Sequence, residues 1–119
     1  MTSVIYKILS REQWKQSIAA DRLVWLPLDE ADGFIHFSTK RQLPTTLRKH
    51  FAGQDGLLVL EVPVQGLPAD VARHLKWEKN TPDGDAYPHL YTDLPTDYVR
   101  RLYVVEPNDD GIHSVPDLI

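Results

Sequence analysis

The run Leu57-Leu58-Val59-Leu60-Glu61-Val62, apolar but for one glutamate, constrains this chain more than any other stretch. A strand sends successive side chains to opposite faces, so a run without polar alternation needs cover on both sides. It reads as a central strand with other elements packed above and below it. A chain of 119 residues has room for one such core, and a single domain over 1–119 is expected.

The elements that could cover that strand follow from local signals. Val4 to Leu9 is β-branched and aromatic and reads as a first strand. Ser10, with Gln13 three residues on, gives a capping box for a helix to about Ala20, with Trp14 and Ile18 facing inward. Leu23 to Leu28 reads as an extended edge or loop, and Asp29 to Gly33 as an acidic turn. Phe34 to Ser38 is a second strand. Thr39 and Gln42 repeat the capping-box spacing before the stripe Leu43, Leu47 and Phe51. Pro44 suits only a first turn, so this second helix either begins near Leu43 or is kinked there. Residues 63–73 read as loop plus a short turn, Leu75–Glu78 as a brief strand, and Tyr87–Tyr91 as a rigid segment around Pro88. Arg100–Glu106 is the last strand, and the polar tail over 107–119 is expected to be mobile. Two main helices in the N-terminal half and five or six strands make the fold α+β rather than regularly alternating.

Composition closes several routes. With no cysteine there are no disulfides, thiolate nucleophiles or thiolate-bound zinc. Residues 1–60 carry 8 Lys/Arg and 6 Asp/Glu, residues 61–119 carry 5 and 11, and the net charge is −4. That acidic balance argues against nucleic acid as a partner. Lys40, Arg41, Arg48 and Lys49 spread over half a helix and read as a solvated face rather than a phosphate patch. No apolar run approaches the ~20 residues of a membrane span, and the N-terminus lacks a signal-peptide pattern. A cytoplasmic protein with a small-molecule ligand and no membrane partner is expected. Oligomeric state cannot be read.

Four groups of residues could carry chemistry. His36 and Ser38 share one face of their strand, where an imidazole and a hydroxyl could grip a ligand together, or His36 could simply be a half-buried strand residue bonded to a neighbour. His89, held by Pro88 between Tyr87 and Tyr91, could wall a cleft for a planar ligand or cover the core. Glu78 beside Trp77 could act as a base or stabilise a cation, or pair with Lys76, Lys79 or Arg73. Lys7 could contact an anion or snorkel to the surface. No two histidines stand at i, i+4 or His-x-His spacing, so no metal is expected. Ser38 does not sit in a Gly-x-Ser-x-Gly elbow, which weakens a hydrolase triad, and no glycine-rich phosphate loop appears.

Ile5-Tyr6-Lys7-Ile8, Trp14, Gly33 to Thr39 with Gln42, Leu75-Lys76-Trp77-Glu78, and Pro88 to Tyr91 with Leu94-Pro95 together resemble the bacterial family known as domain of unknown function 952. The resemblance spans residues 4 to about 105. It implies an ADP-ribosyltransferase-like fold, a small split-sheet α+β domain that clamps NAD between two sheets. In such enzymes a first-strand arginine or histidine and a second-strand hydroxyl or aromatic position the dinucleotide, and a late glutamate stabilises the ribosyl cation. Ser38-Thr39 resembles the hydroxyl element, while the first strand offers Lys7 in place of arginine or histidine. The resemblance thus implies NAD, or an ADP-ribose-like nucleotide, as substrate. His36 and Ser38 would bond the ribose or carboxamide, Tyr91 and Trp77 would stack on a ring, His89 would assist, and Glu78 would be the catalytic carboxylate, with Glu106 the other candidate by residue type. Whether the cleft transfers ADP-ribose, cleaves a glycosidic bond or only binds stays open, as does a hydrolase or isomerase of another metabolite.

Overall fold

The apolar run becomes β3 (Leu57–Pro63), the middle strand of an antiparallel sheet between β1 (Val4–Ser10) and β6 (Arg101–Val105). The computed structural model describes residues 3–115. Lys7 lies opposite Leu60, and Val59 opposite Tyr103. One face of the sheet, carrying Ile5, Leu9, Leu58, Leu60 and Val62, packs on Leu23, Ile35, Phe37, Leu90 and Leu94. The other, carrying Tyr6, Ile8, Leu57, Val59 and Val105, packs on Leu43 and Leu47 of helix α3 (Leu43–His50). β3 is therefore covered on both sides. Its one charge, Glu61, is fully buried and accepts hydrogen bonds from Arg100 Nε (2.7 Å) and the Tyr103 hydroxyl (3.1 Å). Without these partners a buried carboxylate would cost several kcal/mol, on the order of 3–5.

Helix α1 (Arg11–Ala20) starts with both capping-box bonds, Gln13 N to Ser10 Oγ (3.0 Å) and Ser10 N to Gln13 Oε1 (2.8 Å). Its buried face is not the one expected. Ser17 is buried, donating to the Gln13 carbonyl and accepting from Val24 N, so Trp14 and Ser17 turn inward. Ile18, 100° further round, is left 53% exposed.

The stretch expected as loop and acidic turn is instead a helix, α2 (Pro27–Asp32). Proline at the first position presets φ, and the Asp29 carboxylate accepts from Leu26 N (2.8 Å) at the N-terminus. Gly33, at φ 84°, closes the C-terminus through its N–H to the Asp29 carbonyl. Helix α3 begins at Leu43, just before Pro44, and the Thr39/Gln42 bonds form in the turn that precedes it. A fourth helix, α4 (Ala69–Ala72), follows β3, so the two main helices expected become four among the described residues.

The second sheet is β2 (Ile35–His36), β5 (Ala86–Leu90) and β4 (Leu75–Lys79), antiparallel in the order β2–β5–β4. β5 is central in spite of Pro88, which forgoes its own N–H but accepts at its carbonyl from Phe37 N (3.0 Å). β2 is shorter than expected because the chain changes sheets. Two residues past His36, Ser38 exchanges hydrogen bonds with Tyr6 of β1, 2.8 and 2.9 Å. This bridge is the seam between the sheets.

As far as residue 115 the polar tail is tied to the body of the fold by hydrogen bonds. Gly53 N bonds to the Gly111 carbonyl, and buried His113 donates from Nε2 to the Gln54 carbonyl (2.8 Å). The rest of the expected tail, 116–119, lies outside the described residues.

Candidate functional site

A cleft of about 400 Å³ opens where β1 runs on past the seam. Its walls are the start of α2, the middle of α3, and the β2–β5 pair. Backbone polarity along β1 shapes its floor. Peptide groups alternate in direction, and those of Tyr6 turn to Ser38, so those of Ile5, Lys7 and Leu9 turn to β3. The N–H and C=O of Ile8, a cleft residue, therefore face outward along a strand edge that is unpaired among the described residues.

Beside this edge lies a buried charge centre. Asp29, 1% exposed, receives Lys7 Nζ at 3.1 and 2.9 Å, His36 Nδ1 at 2.7 Å, and the amides of His36 (3.0 Å) and Leu26 (2.8 Å). Burial pushes its carboxyl up, but the His36 bond, the Lys7 charge and the two amides outweigh this and hold it at about 2. Burial likewise disfavours the Lys7 ammonium, against the charge and hydrogen bond of Asp29. The third Lys7 bond goes to the His36 carbonyl (3.0 Å), so the ammonium is spent inside the protein although the residue lines the cleft. His36 has a carboxylate oxygen against each ring nitrogen, Asp29 on Nδ1 and Asp32 on Nε2 (2.9 Å).

Opposite His36 in the strand register stands His89. The rings are 5.6 Å apart between centroids, and Phe34 stacks on His89 at 4.0 Å while touching His36 at 4.5 Å and Tyr91 at 5.1 Å. His89 Nδ1 lies 2.9 Å from Glu78 Oε1, which also accepts from the Tyr91 hydroxyl at 2.6 Å. Those two hydrogen bonds lower the Glu78 pKa, and the same bond raises that of Tyr91. With Nδ1 held by a carboxylate, His89 keeps Nε2 for the cleft it lines. Such an imidazole can accept a proton from a bound group and return it.

Hydroxyls fill the wall between. Thr46 Oγ1 donates to the Gln42 carbonyl, so Ser38 donates to Thr46 Oγ1 (2.9 Å) and both keep lone pairs toward the cleft. Burial, then the nearby Glu61 and Tyr103, raises the pKa of Tyr6, a cleft-lining residue, so its hydroxyl keeps its proton.

Of the residues the sequence singled out, Lys7, His36, Ser38 and His89 line the cleft. Glu78 and Tyr91 sit behind His89 as its supports. Thr39 caps the turn before α3, and Trp77 lies opposite Pro88, 46% exposed, neither of them on the cleft. Tyr87, expected beside His89 in the cleft wall, lines it too, whereas Asp29, Tyr6 and Thr46 were not foreseen there. A signal for Asp29 existed, since Pro27 followed by an acid two residues on and Gly33 after four more marks a short helix with an N-terminal carboxylate.

The family model described as Protein of unknown function (DUF952) matches residues 8–102. The crystal structure of protein CC0527 from Caulobacter crescentus is similar at 37% identity and a TM-score of 0.82, covering 94% of each chain. A crystal structure of a double mutant of that protein gives the same values. Its solution structure matches at 38% identity and a TM-score of 0.75, over 92% of this chain and 90% of that one. No curated protein matches the chain.

Proposed function

The chain belongs to the DUF952 family, and we propose that its two sheets form an ADP-ribosyltransferase-like body whose cleft binds NAD or an ADP-ribose-like nucleotide. One observation carries this reading: the outward N–H and C=O of Ile8 on the floor of a cleft of about 400 Å³. A primary carboxamide, as on nicotinamide, offers the donor and acceptor that a neighbouring strand would offer there. The volume lies within the ~300–1,000 Å³ of small-molecule sites. Tyr6, Ser38 and Thr46 supply hydroxyls for a ribose, Lys49 a cation for a phosphate, and His50, whose protonated form burial and Lys49 disfavour, a ring nitrogen for a hydrogen bond.

The reaction proposed is cleavage of the nucleotide's glycosidic bond. A water or acceptor hydroxyl loses its proton to His89 Nε2 as its oxygen bonds to the ribose anomeric carbon. The carbon–nitrogen bond breaks with its electron pair leaving on nicotinamide. Glu78 holds the imidazole by Nδ1 and offsets the charge it gains. This assigns Glu78 a positioning role instead of direct contact with the ribosyl cation.

A binding-only module is the second reading. It is favoured by the state of Asp29, the one carboxylate on the cleft among the described residues, which is committed to Lys7 and His36.

Calorimetry with NAD, ADP-ribose and nicotinamide, beside an assay of nicotinamide release, tests both. Binding with release that His89→Gln abolishes, while ADP-ribose still binds, is the expected result. Binding without release leaves the module, and no binding at millimolar concentration overturns the nucleotide reading.

A further inference from the structure

Among the described residues β6 is the outer strand of its sheet, bonded only to β3. Arg101, Tyr103 and Val105 lie opposite Glu61, Val59 and Leu57, the β3 residues whose peptide groups turn away from β1. The peptide groups of Leu102 and Val104 therefore face outward, without a backbone partner among the described residues. Their side chains are 45% and 53% exposed. An exposed edge with apolar side chains is a template for another strand, and proteins usually blunt it with charge or proline. β4, the edge of the second sheet, is blunted in this way by Lys76, Glu78 and Lys79, three of its five residues. The centre of β6, Leu102-Tyr103-Val104, carries no charge.

We propose that β6 pairs with β6 of a second copy of this chain, antiparallel about Tyr103, to join two three-stranded sheets into one of six. The charge order along the strand selects this partner and direction. Arginines stand at one end, Arg100 and Arg101, and acids at the other, Glu106 with Asp109 and Asp110 beyond. Antiparallel pairing about Tyr103 sets Leu102 against Val104 of the second copy, and Arg100, whose Nε is held by Glu61, level with Glu106 of the second copy, which in its own chain faces Arg11 at 3.7 Å. A parallel arrangement would set arginine against arginine. Opposite charges and apolar pairs directly across strands are both favourable, and a two-fold contact closes on itself. The edge is short, so the association is weak and concentration-dependent.

Sedimentation velocity from micromolar to millimolar concentration tests the pairing, together with amide hydrogen exchange at the two ends of that range. The average mass is expected to rise from monomer to dimer, with Leu102 and Val104 amides slowing as it does. Val104→Lys, at an exposed site, is expected to keep the monomer's thermal melt and weaken association at least tenfold. A monomer at every concentration overturns the proposal. So does a dimer that Val104→Lys leaves intact, an assembly larger than two, or unprotected Leu102 and Val104 amides in the dimer.

Discussion

Asp29 holds more of the cleft together than any other side chain. It gathers a lysine from β1, an imidazole and amide from β2, and the amide that opens its own helix. Removing its charge would strand the Lys7 ammonium, 3% exposed, with no counter-charge. Asp29→Asn is therefore expected to cost about 3–5 kcal/mol, read from the denaturant midpoint. An effect within experimental error would mean that the lysine finds another partner. Titration gives a second check. The folded carboxyl sits at about 2 against 3.8 for the unfolded chain, so between these values the unfolded state binds more protons. The stabilisation is fully present above the unfolded value and is lost as pH falls through the folded one. Across that window unfolding free energy should drop by about 2 kcal/mol from this group. Urea titrations at a series of acid pH values should show the drop in the wild type and a smaller one in Asp29→Asn.

Among the elements, β5 and α3 do the positioning. The antiparallel register sets His89 against His36 and lets Glu78 on β4 reach His89 Nδ1 diagonally across the pair. Glu78→Gln is expected to slow nicotinamide release about 10²-fold, with ADP-ribose affinity nearly unchanged, because the amide can hold the ring but cannot offset its charge. Equal losses in binding and release would place Glu78 on the ligand instead. On the other wall, Leu47 anchors α3 to the sheet and is 1% exposed. Leu47→Ala should cost about 2–5 kcal/mol in chemical denaturation.

What could be read in the sequence at this scale was what short-range chemistry decides. Ser10 with Gln13, Pro44 at the head of α3 and the apolar run of β3 each carry their signal within a few residues. α2 escaped because six residues are too few for an apolar period. β5 read as a rigid loop because a proline ordinarily excludes a central strand. The face of α1 was misjudged because Ser17, a polar residue, is buried through bonds to Gln13 and Val24. Facing imidazoles 53 residues apart in sequence, His36 and His89, follow from strand pairing, which local patterns do not encode.

For the whole molecule, the decisive event is the passage of one segment between sheets. Ile35 and His36 belong to the sheet with β5, and Ser38 to the edge of β1, so among the described residues one backbone bridge joins two sheets that also pack through the core. Past that bridge the edge of β1 away from β3 has no strand beside it among the described residues, and polar residues of both sheets line the space left open. The six-stranded dimer proposed through β6 uses the opposite edge of the same sheet and leaves this space free. The free strand edge at Ile8 is where the nucleotide is expected to dock. The most direct measurement is a titration of ¹⁵N-labelled protein with ADP-ribose and with nicotinamide, followed by amide chemical shifts. Saturating shifts at Ile8, Ser38 and His89, with nicotinamide alone moving Ile8 most, are the predicted result. An unmoved Ile8 amide at millimolar ligand, or shifts confined to residues away from the cleft, would contradict it.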